Sequence, residues 1–480
     1  MFRAYSRSEP TGKRRVAHER RATAAAGDTD YASALLAALG VARPRPDAVA
    51  DRHPALAWAA SGAMALTGRH DGPPALAPGR LASCARATVR AFAALADDTT
   101  TRALDGAALL GERAALLGLG RRGTTSLGGR CRLLRARDEW IAVNLARPDD
   151  HGSLPAWLGI PVADDPWDGI ADAVAARPAA PLVARARLLG LAVATAAPPT
   201  DPPSRPWFRV VARGPRLGSR PTVPPVVVDL SALWAGPLAS HLLQLAGARV
   251  IKVESIRRPD GARRGAAAFF DLLNAGKESV ALDLATRADR AALARLVARA
   301  DIVIESSRPR ALVQLGIDPA RVVAERPGVT WISVTGYGRR GRAADWIAYG
   351  DDAAAAAGLA SATGTLAGAA HPLFCGDAIA DPLTGMHAAV AALAAYERGG
   401  GVLIALALRD VVAHVVGFGL PASPAHVRRR PGAADADAWE VLADGERQRV
   451  TVPRARPLRG VARSLGADTD AVLGGRDGRR

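Results

Sequence analysis

VVVDLSALWAGPLASHLLQLAGARVIKVE, residues 226–254, is the stretch whose reading decides the fold. Val226–Leu230 is apolar and β-branched, as suits a strand buried on both faces. Ser231–Gly236 reads as a turn, and Pro237 suits the first position of a helix. Leu238, Leu242, Leu243 and Ala246 repeat at helical spacing, and Gly247 is placed to end that helix. Val250, Ile251 and Val253 make a second strand. The unit is β-α-β, which implies an α/β fold with a parallel sheet and right-handed crossovers. Sites in such sheets lie beyond the carboxyl ends of the strands, here near Ser231–Pro237 and Glu254–Arg258.

Working outward, Val280, Leu282 and Leu284 alternate, Arg287–Ala300 reads as an amphipathic helix, and DIVIE (301–305) and VTWISVT (329–335) read as further strands. A helical stretch spans Pro382–Arg398. Five segments are expected. Residues 1–30 form a basic, disordered tail, and 31–196 a mainly helical region with one strand-like piece at Glu139–Leu145. Residues 197–225 are a proline-rich extended linker, 226–412 the core, and 413–480 a polar segment returning to it, with one alternating piece at Arg447–Val452.

The 480 residues carry a formal charge of +17, with Ala, Arg and Gly abundant. The arginines are scattered and no long basic run is interleaved with aromatics, so a dedicated nucleic-acid partner is disfavoured, whereas anionic small molecules fit. Cys84, Cys131 and Cys375 contain no CxxC pair, which fits a reducing cytoplasm rather than a disulfide scaffold. The first residues, MFRAYSRSEPTGKRR, lack the apolar core of a secretion signal, and no uncharged apolar run reaches the ~18 residues that span a bilayer. A soluble, cytoplasmic protein without a membrane partner is expected.

The sequence also repeats itself. Ser61–Gly68 (SGAMALTG) resembles Ala357–Gly364 (AGLASATG), and Gly79–Cys84 (GRLASC) then stands against Gly376–Asp381 (GDAIAD), with an Ala-rich helix following each. Cys84 occupies the place of Asp381 in the first copy.

Asp381 is the principal chemical candidate. Placed before Pro382, it is expected to cap the following helix, and the helix dipole would hold it ionised and fit to attack an activated acyl group. A cap with no further role is the plain alternative, and Asp377 is the fallback. Asp351 and Asp352 are adjacent and should diverge in direction. His371, Cys375, Asp377, Asp381 and His387 match no zinc spacing, so no metal is expected. GLGRRG (118–123) and GYGRRG (336–341) lack the strand-turn-helix context of a dinucleotide fingerprint. No GxSxG elbow occurs.

The segments VDLSALWAGPLASHLLQLAGARVIKVE (228–254), NAGKESVALDL (274–284), ADIVIESSRPRALVQLGI (300–317), ISVTGYGRRG (332–341) and ADPLTGMHAAVAALAAYERGGG (380–401) resemble, in order and spacing, the family III CoA-transferases. That group includes formyl-CoA transferase, carnitine CoA-transferase and alpha-methylacyl-CoA racemase. The resemblance spans Val226 to about Val412 with an echo at 465–473, and Ser61–Leu95 with Glu139–Leu145 resembles the family's later portion. It implies a Rossmann-like core beside a partial, degenerate copy in 31–196, as if rearranged or fused.

Asp381 and Gly385 match the family's nucleophilic aspartate four residues before a glycine. The implied reaction moves CoA from an acyl-CoA to a carboxylic acid acceptor through an aspartyl anhydride and an aspartyl-CoA thioester, with no permanently bound cofactor. Trp234, Ala235, Gly236, Lys252, Arg257, Arg258, Lys277, Arg308, Arg310 and Tyr349 are the residues the resemblance assigns to CoA. Tyr349 stands where the racemase branch has a histidine, so transferase leads over racemase or isomerase. Glu278, Ser306-Ser307 and Gln314 depart from the family pattern. A degenerate paralogue that binds CoA or a subunit is the non-enzymatic rival. The resemblance also admits a homodimer.

Overall fold

The computed structural model describes residues 28–42, 52–199, 206–218, 223–419, 423–431 and 438–474. Most of the basic tail therefore lies outside the described residues, but Asp28–Ala38 is already helical, and Tyr31 and Leu35 in it are buried.

Three sheets organise the described residues. The first is antiparallel and holds β1 (Cys131–Arg135), β2 (Trp140–Asn144) and β3 (Ala192–Thr195). The second has seven strands: β4 (Phe208–Arg213), β5 (Val226–Leu230), β6 (Arg249–Ser255), β7 (Glu278–Leu282), β8 (Ile302–Glu305), β9 (Thr330–Thr335) and β10 (Val402–Ala407). The third is a small meander of β11 (His426–Arg429), β12 (Trp439–Ala443) and β13 (Glu446–Arg449).

The central sheet runs in the order β4-β10-β9-β8-β5-β6-β7, and every pairing but one is parallel. The exception is β4, which pairs antiparallel with β10. It comes from the middle of the stretch read as a linker. Its alternation RVVAR, between proline-rich flanks, lets it close an edge where only one side must hydrogen-bond. The N-terminal region likewise departs from a purely helical reading, because β1 and β3 flank the strand-like piece that forms β2.

Strand order reverses direction at β5, whose neighbours are β6 on one side and β8 on the other. That makes the carboxyl ends of β5 and β8 the topological switch point, where α/β sheets commonly bind ligands. A hydrogen bond from Ala232 N to Ser306 Oγ (3.1 Å) links the loops that follow these two strands. The helix after β5 is Ala235–Leu245, two residues earlier than Pro237 suggests, with Trp234 at its cap. Gly247, at φ +93°, ends it as expected.

The Ala380–Glu397 helix is buried almost all round, which explains a sequence of alanines without an amphipathic stripe. It packs against the Ala235–Leu245 helix and against Leu81–Ala96, the helix of the other repeat copy. In the two similar stretches, Gly62 and Gly358 lie at φ +82° and +87°, and Gly79 and Gly376 at +70° and +68°. One apolar core joins Leu56, Trp58 and Phe92 of the N-terminal region to Leu238, Leu383 and Val390. Val228, Ile251, Val280 and Trp331 fill the opposite face of the sheet.

Gly385 sits at the closest crossing of the two central helices. A Cβ there would stand 2.7 Å from Ala235 O and 3.0 Å from Leu238 Cβ. Gly385→Ala is expected to destabilise the fold by about 1–3 kcal/mol, the usual cost of overpacking. Denaturant unfolding with an unchanged m-value checks it, and wild-type stability in the variant would refute this reading of the glycine.

Candidate functional site

The turn before the Ala380–Glu397 helix is strained. Ala378 holds φ +42° without being glycine, and Leu233, in the turn after β5, holds +70°. Each costs on the order of 1–3 kcal/mol, a burden found mainly where backbone must be aimed. Hydrogen bonds maintain both: Ala378 N donates to Asp351 Oδ1 (3.1 Å), and Leu233 N donates to Asp260 Oδ1 (2.9 Å).

Asp381 is the second residue of its helix, whose cap is Ile379, so it caps nothing with its side chain. The expected depression by the helix dipole is also reversed. Burial pushes the Asp381 carboxyl up to about 7, and the neighbouring Asp352 and Asp377 push the same way, against the pull of Arg113 and the Gly350 backbone. The residue is half-buried rather than sealed. A Cβ on Gly350 would lie 2.3 Å from Asp381 Oδ2, so only a glycine lets the carboxylate lie so close to that backbone.

Three more carboxylates surround it. Burial, with Asp377 and Asp381, raises Asp351 to about 7. Burial also brings Asp352 to about 7, although Tyr349 N (2.9 Å) and Asn144 Nδ2 (3.0 Å) both donate to its Oδ1. The two do diverge in their partners, yet they serve one electrostatic cluster. Asp377 is fully buried and held by Arg113 in a two-armed pair, Nε to Oδ2 at 2.8 Å and Nη2 to Oδ1. Its carboxylate is thereby paired with a cation, whereas that of Asp381 meets the Gly350 backbone. Arg113 also stacks over the Trp234 indole at 5.1 Å.

Beside the carboxylates lies a cationic face. Arg308 lies at the cap of Pro309–Gln314. Burial and the neighbouring Arg310, Arg147 and Arg258 lower its pKa, against the opposing pull of Asp345. Arg147 and Arg258 act on Tyr349 too, which is the cap residue of the Gly350–Ala356 helix. Burial pushes the Tyr349 hydroxyl up to about 12, and it stays neutral at physiological pH.

The family-model description CoA-transferase family III matches residues 225–442. That segment is therefore similar to CoA-transferase family III. The succinate–glutarate CoA-transferase of Agrobacterium fabrum is 33% identical over 207 residues, covering 40% of this chain and 51% of that protein. The succinyl-CoA–D-citramalate CoA-transferase of Chloroflexus aurantiacus is 31% identical, over 43% of this chain and 54% of its own length. A CAIB/BAIF family protein of known structure from Brucella suis is 30% identical over 41% of this chain and 55% of that one, with a TM-score of 0.34. The chain thus spans about half the length of the curated relatives it matches.

Within this matched segment, the assigned CoA residues separate into two groups. Trp234, Ala235, Gly236, Arg258, Arg308, Arg310 and Tyr349 lie at the turn after β5 or on the cationic face. Lys252 and Lys277 do not, which corrects their reading as phosphate donors. Lys252 is buried, paired with Asp260 (2.9 Å) and donating to Ser231 O (3.0 Å). Lys277 donates to Ser240 Oγ (2.7 Å), Pro237 O (3.0 Å), Asn274 Oδ1 (3.1 Å) and Asp229 Oδ2 (3.2 Å). With ammonium donors so engaged beneath the turn, neither reaches a ligand. Arg257 is exposed and held by Asp283 (2.8 Å).

His387 of the discarded metal set is a core residue, bonded to Tyr31 Oη (2.8 Å) and Leu383 O (2.7 Å). No three His, Cys, Asp or Glu side chains gather to hold a metal among the described residues, and among them no helix is long and apolar enough to cross a membrane. Arg113, Arg147 and Asn144 escaped sequence reading because they arrive from the N-terminal region without a local motif. Asp229 carried a signal, an acid inside an apolar strand.

The raised carboxyls set a pH dependence. Asp351 is near 3.8 when unfolded and about 7 when folded, so the native state binds more protons between those values. Its contribution to stability is full below the unfolded value and is lost as pH rises through about 7. Asp351→Asn keeps the acceptor for Ala378 N but cannot ionise. Its melting temperature, relative to wild type, should rise by roughly a few degrees from pH 5 to pH 8. A pH-independent difference between the two would overturn the assignment.

Proposed function

We propose that this protein moves CoA between carboxylic acids, with Asp381 as the nucleophile. The observation that supports it most is a half-buried Asp381 carboxylate at the start of its helix, held by the Gly350 backbone and by no paired side chain, with a group of arginines nearby. The arginines suit the phosphates of a CoA thioester, with Arg258 and Arg308 as charge-assisted donors, while Arg147 is held by Asp150 and Gly190 O and Arg310 by Asp345 (3.5 Å). The pantetheine arm would then run past Tyr349 toward Asp381.

In this reading the ionised Asp381 attacks the thioester carbonyl, and the C–S bond breaks to release CoA thiolate and leave a mixed anhydride. The thiolate attacks the aspartyl carbonyl, expelling the donor's carboxylate and forming an aspartyl-CoA thioester. An acceptor carboxylate attacks that thioester, and thiolate returns to the new acyl carbonyl, restoring Asp381. A pKa of about 7 leaves a usable ionised fraction while making the carboxylate a stronger nucleophile than a solvated one. Succinate, glutarate, oxalate and citramalate, the acids in the relatives' names, each carry two carboxylates, and they are the first acceptors to try.

The same raised carboxyls favour one second reading. Asp351 and Asp381 could exchange a proton at the α-carbon of an acyl-CoA, giving an isomerase. Deuterium entering that carbon in the absence of any acceptor acid would identify it.

Incubation with an acyl-CoA panel, trapping with hydroxylamine or borohydride, and peptide mass analysis test the main reading. A modified Asp381 peptide is expected, and Asp381→Asn should lower turnover by at least about 10³-fold. Labelling at Asp377 instead would move the nucleophile. Folded protein that binds CoA without any adduct would favour a binding role. Arg308→Ala should raise KM for the acyl-CoA about tenfold and leave kcat within a factor of three, the pattern of a contact made equally in ground and transition states.

A further inference from the structure

We infer that Arg113, which the N-terminal region delivers to the site, is a positioning residue that sets both the ionisation and the orientation of Asp381. The inference rests on the reading of Asp381 as nucleophile for its role in turnover, but not for its effect on the carboxylate itself.

The geometry is specific. Arg113 lies on the short helix Glu112–Leu117. Its guanidinium grips Asp377 with two arms, and the ring of Trp234 lies beneath it at 5.1 Å. Asp377 precedes the strained Ala378, and Trp234 follows the strained Leu233. One cation therefore ties together these two turns, neither of which shares its region of sequence.

The helix carrying it is itself fixed from the other side. Glu112 is buried and receives Arg456 Nε (2.6 Å), Arg456 Nη2 (2.9 Å) and Arg456 N (3.0 Å), so the returning C-terminal segment holds it. Gly111 next to it packs on Pro453, with a Cβ there falling 2.9 Å from that ring. A side chain held so firmly, at 26% exposure, delivers its charge to one place without rearrangement.

The groups facing Asp381 are Asp351 and Asp352 from the Gly350–Ala356 helix, Asp377 from the preceding turn, the Gly350 backbone and Arg113. Among the charged side chains, Arg113 is the cation of the set. Two of its functions are separable. Its hydrogen bonds neutralise Asp377 and hold the turn, and its remaining field favours the ionised form of Asp381 against three like charges. Lysine keeps charge but loses the planar two-armed grip and the stacking, whereas methionine loses both.

Two readouts test this. In protein labelled with ¹³C at aspartate Cγ, the Asp381 resonance is assigned by its loss in Asp381→Asn, and its titration is followed in wild type, Arg113→Lys and Arg113→Met. The Met variant should titrate at least one pH unit higher than wild type, and the Lys variant in between. The second readout is the acid limb of the rate of Asp381 adduct formation. It should move up by the same interval, so that the Met variant loses about tenfold at pH 6.5 and recovers most of it at pH 8.5.

Thr286→Ala, which removes the side-chain cap of the Arg287–Arg299 helix, serves as the control for a merely structural effect, and should lower the melting temperature without moving the titration. An unshifted Asp381 titration in folded Arg113→Lys and Arg113→Met overturns the inference whatever the activity. If Arg113→Met does not fold, the Lys variant alone decides by the same criterion. A shifted titration in a protein that never forms the Asp381 adduct leaves the positioning role standing and removes the nucleophile.

Discussion

Four aspartates in one cluster, opposed by one guanidinium, form the electrostatic constraint on which the rest of the site depends. Like charges gathered away from water cannot all stay ionised at neutral pH, so some must hold protons or be paired. Arg113 resolves the conflict for Asp377 by direct hydrogen bonding, and Asn144 with the Tyr349 N–H eases it for Asp352. Asp381 has only the Gly350 backbone and the more distant field of Arg113. What would be a flaw in a purely structural core supplies a carboxylate whose protonation responds near neutrality.

The platform beneath it is built in the opposite way. Asp229 is buried under the turn after β5, and although burial raises its pKa, Lys277 and Lys252 together with the Ser231 and Ser240 hydroxyls bring it down to about 2. Every polar arm in that group has a partner, the condition under which a buried network rigidifies rather than destabilises. The two lysines thus act one layer below the ligand surface. They shape the turn that presents Trp234, and the cationic work at the surface falls to arginines that keep their charge in any surroundings.

The central sheet was readable because its strands are short, apolar runs bounded by turn residues, and because the 226–254 unit carries the alternation of strand and helix in one piece. Asp381 was also readable, by its place before a proline and a helix. Its environment was not. Whether this carboxylate caps its helix or lies within the first turn depends on two residues of register, and its pKa depends on neighbours more than two hundred residues away, such as Arg113. Lys252 and Lys277 misled for a related reason: a lysine within or just before a buried strand looks the same in sequence whether it points up to a ligand or inward to Asp229 and Asp260. The strand β4 hid among prolines because an edge strand tolerates flanks that a central strand cannot.

That dependence on distant residues says something about how the chain is put together. Glu112 is bound by Arg456, Arg113 by Asp377, and Gly376 N donates to Thr67 Oγ1 (2.9 Å), so the first repeat copy, the second copy and the C-terminal segment meet around one turn. The two Ala-rich repeat helices, Leu81–Ala96 and Ala380–Glu397, pack in a shared core, with Cys84 buried in the one and Asp381 half-buried at the mouth of the other. A copy that has no acid of its own at that position still furnishes, through the residues that follow it, the cation that the other copy's acid requires. The N-terminal region is therefore part of the site by electrostatics as well as by packing, and the matched family segment, taken without it, would lack the guanidinium that neutralises Asp377.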